Sequence, residues 1–243
     1  MSTHVTTQNL VRSDVAEASA DRPSTRRTSS RGWAYAGIGA GLAGIGTIVS
    51  SSMVNAVYDK DIAGDPAAIL AKLEDQTGPM FAFHTFTTVG AVLLLVFAAG
   101  LYRRLRAVLP DSSVPTVALS GLIGTAFVSI MGSGLDTEFM MGIPQEDAII
   151  DSNAVMYNHW IGTIPWLWTL AGLAGVSLFV AFRRGGVPRW IGLVGLVLGG
   201  LTLLLGVSPL QYMAGMTGPL WLLVTALGFA FGDRAYRNQA HTA

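Results

Sequence analysis

The 243-residue sequence contains no cysteine. That excludes a disulfide framework, a thiolate nucleophile and any Cys-based zinc or iron–sulfur site. Charge is scarce as well: Asp, Glu, Lys and Arg make up 12% of the chain, about half the share usual in soluble domains. Lysine is nearly absent, with only Lys60 and Lys72 beside 13 arginines, which we read as a coding bias. The net charge is zero, so nothing in the bulk electrostatics points to a nucleic-acid partner. No charged side chain lies well inside a long apolar run. Ion-coupled pumps and proton relays place such groups near the bilayer midplane, so a proton-coupled transporter is disfavoured. HExxH and other compact metal motifs are missing too.

What the chain has instead is hydrophobicity, 51% of residues with a mean hydropathy of +0.50, gathered into six runs at 33–57, 79–102, 115–135, 159–182, 188–207 and 212–232. Each reaches the roughly 20 residues needed to cross a bilayer at about 1.5 Å per residue. The runs lack strict period-2 alternation, and lipid offers no partners for exposed backbone, so helices are expected rather than a barrel. The expected fold class is an all-α membrane protein, a six-transmembrane-helix bundle with both termini cytoplasmic. Its parts are a disordered cytoplasmic tail (1–32), the transmembrane domain (33–232) and a short cytoplasmic tail (233–243). The first 32 residues are rich in Ser, Thr and Arg and poor in bulky apolar groups, too little to offset the entropy of ordering. They lack a signal-peptide pattern, so the first apolar run is expected to act as the targeting signal.

Orientation follows from charge. With the N-terminus inside, all 13 arginines fall on the cytoplasmic side and only Lys60 and Lys72 outside, in agreement with the positive-inside rule. Trp33, Tyr102 and Trp190 fall at the inner interface, and Tyr58, Tyr157, Trp160 and Tyr212 at the outer one. The general look is that of the small multi-pass proteins of bacterial plasma membranes, a likeness of composition that covers no functional motif.

Two outer loops are longer than turns. DPAAILAKLED (65–75) places Asp65 as N-cap, Pro66 at the first helical position and Ile69, Leu70 and Leu73 on one face, which predicts a short amphipathic helix on the outer membrane surface. In 140–160, Pro144–Asp147 offers a second helix start. Runs one with two and three with four share an outline, each pair carrying an outer histidine and an inner arginine pair, which suggests a degenerate hairpin repeat.

Polar residues inside the runs cluster in the expected outer half: Ser50–Ser52 and Asn55, His84 with Thr85, Thr87 and Thr88, Ser129 and Ser133, then Asn158, His159 and Thr163. Such groups prefer a bundle interior, so the sharp expectation is an outward-facing polar vestibule among helices 1–4. The bland one is that helix ends collect Ser, Thr and Asn. The candidate ligand-binding residues are Asn55, His84, Asp136, Glu138 and His159. Asp136 and Glu138, in MGSGLDTEFMMG (131–142), are expected at the water interface where helix 3 exits. The two histidines fit interfacial hydrogen bonding, a divalent metal site with the two carboxylates, or axial haem ligation; no catalytic or metal residue is assigned, and the cofactor expected is none.

Gly37 and Gly41, then Gly195 and Gly199, form G-x-x-x-G spacings that predict close helix contact, within the chain or in a homo-oligomer. Pro165 in IPWLW (164–168) should kink helix 4. Trp166 and Trp168 are read as packing or lipid contacts, and Met213 and Met216 as space-filling. The expected partners are the lipid bilayer and, through the Gly-rich faces, a second copy. The function expected is a non-enzymatic membrane protein binding a small molecule, lipid or partner at the vestibule. The alternatives are a small transporter, or a metal- or haem-binding enzyme using His84 and His159.

Overall fold

Six helical spans, long and apolar enough to cross a membrane, build the fold: Gly32–Met53, Thr77–Val108, Val114–Gly142, Asp151–Arg183, Arg189–Val207 and Gln211–Gly232. The computed structural model describes residues 31–145 and 148–232, and no strand occurs among them. The expected tails at 1–32 and 233–243 lie outside the described residues, except for Arg31 and Gly32. In chain order the helices are α1 (Gly32–Met53), α2 (Pro66–Glu74), α3 (Thr77–Val108), α4 (Val114–Ser133), α5 (Asp136–Gly142), α6 (Asp151–Thr163), α7 (Thr169–Arg183), α8 (Arg189–Val194), α9 (Gly200–Val207) and α10 (Ala214–Leu227).

Each span packs on its chain neighbour, and the sixth returns to the first, so the bundle closes as a ring. The described arginines gather at one end of it, in Arg31, 103–106, Arg183, Arg184 and Arg189. The long connections gather at the other, here called the loop end. At the arginine end, Arg31 Nη1 donates to the carbonyl of Ala230 at 2.9 Å, tying the start of the first span to the end of the sixth.

The core has two parts. The larger runs through the bundle and is anchored by Phe97, Leu101 and Leu105 of α3, Leu122 of α4, Leu178 of α7 and Trp221 of α10. The G-x-x-x-G glycines belong to it. Gly37 faces Phe97 and Ala226, and Gly41 faces Leu223. Gly199 meets Gly175 of α7, where a Cβ on either would come within 2.5 Å of the other's Cα. All of these faces are therefore used within the chain. The same backbone approach coincides with a π-helical turn at Gly195–Gly199, a widening often found where a helix accommodates a close neighbour.

The smaller core caps the loop end and unites α2, α5, α6 and the start of α3 around Leu73, Met80, Phe83, Phe139, Tyr157 and Ile161. Asp65 caps α2 as its spacing predicts, its carboxylate accepting from the N–H groups of Ala67 and Ala68 at 3.1 Å. The apolar face of α2 is not laid on lipid, however. Ile69 and Leu73 are buried in the cap and the helix packs on α6. The helix start expected at Pro144–Asp147 lies partly outside the described residues; Pro144 itself follows Ile143, the C-cap of α5, and with no N–H to donate it ends that run. The next helix begins at Asp151.

The fourth span breaks at Pro165, into a 3₁₀ turn at Ile164–Trp166 before α7 resumes at Thr169. Pro165 has no N–H to return to the carbonyl of Ile161, four residues back. Ser51 of α1 supplies the missing donor, its Oγ lying 2.9 Å from that carbonyl in a buried contact.

Candidate functional site at the loop end

The loop-end half of the fourth span, α6, supplies side chains that finish its neighbours. Asn158 Nδ2 donates to the carbonyl of Val54 at 2.7 Å, and Asn158 Oδ1 accepts from the N–H of Val57 at 3.0 Å. One buried amide thus satisfies a carbonyl and an N–H in the segment where α1 ends. Trp160 Nε1 donates to the carbonyl of Gly132 at 2.7 Å, beside the break at Gly134–Leu135 between α4 and α5.

Asp136, expected at the water interface, has 0% of its surface exposed. α5 continues the third span past Ser133 and rolls Asp136 into the cap core. Its Oδ1 accepts from the Tyr157 hydroxyl at 3.2 Å, and its Oδ2 lies 3.2 Å from His84 Nδ1. Tyr157 is likewise fully buried, so it belongs to the core and not to an outer aromatic belt. Its ring stacks on Phe139 with centroids 4.2 Å apart and planes 3° from parallel. The His84 side chain is 31% exposed. With Nδ1–H donating to the carboxylate, its Nε2 is left as the acceptor. Burial of a carboxylate is strongly unfavourable without such partners, so the trio joins spans two, three and four by satisfying one group.

The other candidates stand apart from this trio. Glu138 is on the exposed side of α5. His159 is exposed and meets the Tyr58 ring edge-on, with centroids 5.9 Å apart. Asn55 pairs with Gln76: the Asn55 N–H donates to Gln76 Oε1 at 2.9 Å, and Gln76 Nε2 donates to Asn55 Oδ1 at 3.0 Å. Among the described residues no three His, Asp or Glu side chains gather closely enough to hold a metal ion, and His84 and His159 face different surroundings.

Among the described residues, the polar groups of spans one to four are mostly taken up in local hydrogen bonds. Most hydroxyls bond back to their own helix, as Thr47 does to Ala43, Thr125 to Gly121 and Ser129 to Thr125, the usual way for Ser and Thr to satisfy themselves in lipid. Thr88 does the same to the carbonyl of His84. The void left between Thr47, Thr87 and Ser129 is only about 20 Å³, room for about one water.

A larger opening lies elsewhere at the loop end, between spans one, four and six. It is a cleft of about 460 Å³ lined by Ser51, Ser52, Val54, Asn55, Tyr58, Gly162, Trp166, Tyr212, Met213 and Met216. Asn55 is the one residue of the expected set that lines it. Pro165 creates the geometry, because the 3₁₀ turn swings Trp166 into the cleft while Trp168 is buried against Gly44 and Gly218. The turn at Gln211–Met213 brings Tyr212 and Met213. Burial, and secondly the neighbouring Tyr212, raise the pKa of the Tyr58 phenol, so it is neutral at physiological pH. No lining residue carries a charge. Tyr58, Trp166, Tyr212 and the two methionines are visible in the sequence as interfacial aromatics and turn residues, but nothing local signals that three distant segments converge.

Fold and site together define a six-span helical protein with membrane-compatible helices, a capped loop end and an uncharged aromatic cleft. Comparison with protein-family models, with curated proteins and with solved structures finds no match.

Proposed function

We propose that the chain is a multi-pass protein of a bacterial plasma membrane, with both termini cytoplasmic, that binds a small amphipathic molecule in its loop-end cleft. The cleft itself carries the reading. Its volume of about 460 Å³ falls in the range of small-molecule sites, roughly 300–1,000 Å³. Its lining is largely apolar and aromatic, and the exposed Ser52 and Asn55 add polar groups. Those residues offer recognition but no nucleophile–base pair, which supports binding over turnover. Arginines at one end and long loops at the other support an outward-facing cleft.

Binding is tested by saturation-transfer NMR on the protein in lipid nanodiscs, using a panel of small amphiphiles. Signals that disappear when Ser52→Trp or Met216→Trp fills the cleft support the reading. Signals indifferent to both substitutions, or no signals at all, overturn it. Orientation is tested on the cysteine-free background with Ala63→Cys and Asp111→Cys. A membrane-impermeant maleimide should label only Ala63→Cys in intact cells; labelling of Asp111→Cys alone reverses the topology.

A further inference from the structure

The cleft's chemistry narrows its ligand further, an inference that rests on the cleft being a binding site. We infer that it takes an organic cation of the quaternary or alkyl-ammonium class. Three aromatic rings line it, from Tyr58, Trp166 and Tyr212, together with the polarizable thioethers of Met213 and Met216. The face of an aromatic ring carries partial negative charge and attracts a poorly hydrated cation. Tyr58 and Tyr212 offer phenols and no positive charge, and neither lysine lines the cleft.

The second observation is the charge of the whole end. Among the described residues the loop end carries seven carboxylates outside the buried trio, in 59–75, at Glu138 and at Asp151, against Lys60 and Lys72. Lys72 is moreover paired with Asp59. The net negative charge of this end favours the approach of cations over anions, while the uncharged lining lets a bulky ammonium shed water without facing a fixed positive group. An anionic amphiphile would meet both the acidic surround and the ring faces unfavourably. A compact inorganic cation would lose its hydration with no carboxylate in the lining to replace it.

The experiment compares choline with 3,3-dimethylbutan-1-ol, which has the same shape and no charge, on the full chain in zwitterionic nanodiscs. Affinity is read by calorimetry or saturation transfer. Choline should bind about three- to thirty-fold tighter than the neutral analogue, the range expected for cation–π contacts. Tyr212→Phe should keep that preference and Tyr212→Leu should reduce it, since only the ring face matters. Residue 212 is exposed on a turn, so both variants should fold. Equal binding of the two compounds, sensitive to Met216→Trp, overturns the cation inference and leaves the cleft standing. Binding of neither compound overturns the cation inference, and the amphiphile panel above then decides on the cleft. Unchanged preference in Tyr212→Leu also counts against the inference.

Discussion

Ser51 Oγ lies 2.9 Å from the carbonyl of Ile161, the one acceptor that Pro165 cannot serve. A hydroxyl from the first span thereby replaces a backbone donor in the fourth, and the break that shapes the cleft keeps this carbonyl satisfied.

Ser51→Ala should therefore destabilise by about 1–3 kcal/mol, the loss expected when a buried carbonyl is left without a partner. Pro165→Ala returns an N–H to the span, so the double variant should lose less than the sum of the two singles. A double-mutant cycle by denaturant unfolding in micelles measures this; additivity within about 0.5 kcal/mol would remove the argued link.

For the buried trio, Asp136→Ala leaves the Tyr157 hydroxyl and the His84 imidazole without their shared acceptor. We expect it to be the most damaging change there, at about 2–4 kcal/mol, the cost of leaving two donors without their acceptor. Tyr157→Phe should cost about 1–2 kcal/mol, since it removes one donor and leaves His84 in place. Asp136→Asn keeps an acceptor for Tyr157 and should fall between the two. Thermal unfolding of the three variants gives the order, and an Asp136→Ala protein as stable as the parent would contradict the described geometry.

Gly175 and Gly199 permit backbone contact between spans four and five. Gly175→Val should separate them, costing upwards of 1–3 kcal/mol for overpacking. The fifth span is the least enclosed of the six, with 28% of its most apolar window buried, so it should detach before the rest unfolds. Earlier proteolysis in the 184–188 connection, with the cap intact, is the expected readout.

The bond from Lys72 lowers the Asp59 carboxyl below its ordinary pKa. A group with a lower pKa when folded binds fewer protons in that state, so its contribution is fully present above the ordinary range, near pH 4. It fades as pH falls through the depressed value. Lys72→Met should lower the melting temperature slightly at neutral pH and flatten the acid limb below about pH 4, where the two profiles converge. An unaltered acid limb would show that the pair does not stabilise the fold.

Much of the scaffold is legible in the sequence because its causes are local. Six runs of sufficient length and hydropathy specify six helices, Asp65 followed by Pro66 specifies the start of α2, and Pro165 specifies a break. Each depends on residues within a turn or two of itself. Small residues at Gly195 and Gly199 likewise foretell a close contact.

The partners were decided by the tertiary structure. Asp136 and Glu138 sit two residues apart in the same acidic stretch, and their spacing cannot say that α5 turns one into the cap core and the other to solvent. Asn158 and His159 are neighbours, and it is the amide that is buried and caps α1 while the imidazole faces outward. Which residue of such a pair matters depends on how each helix is rotated and what the ring of spans presents to it. That rotation is fixed by packing among residues as far apart as Ser51 and Ile161, or Tyr58 and Tyr212. The sequence by itself determined the six spans, the break at Pro165 and the sign of charge at each end. Only the closing of the ring determined which polar groups are satisfied inside it and where the cleft opens, because burial and convergence are properties of contacts between distant segments.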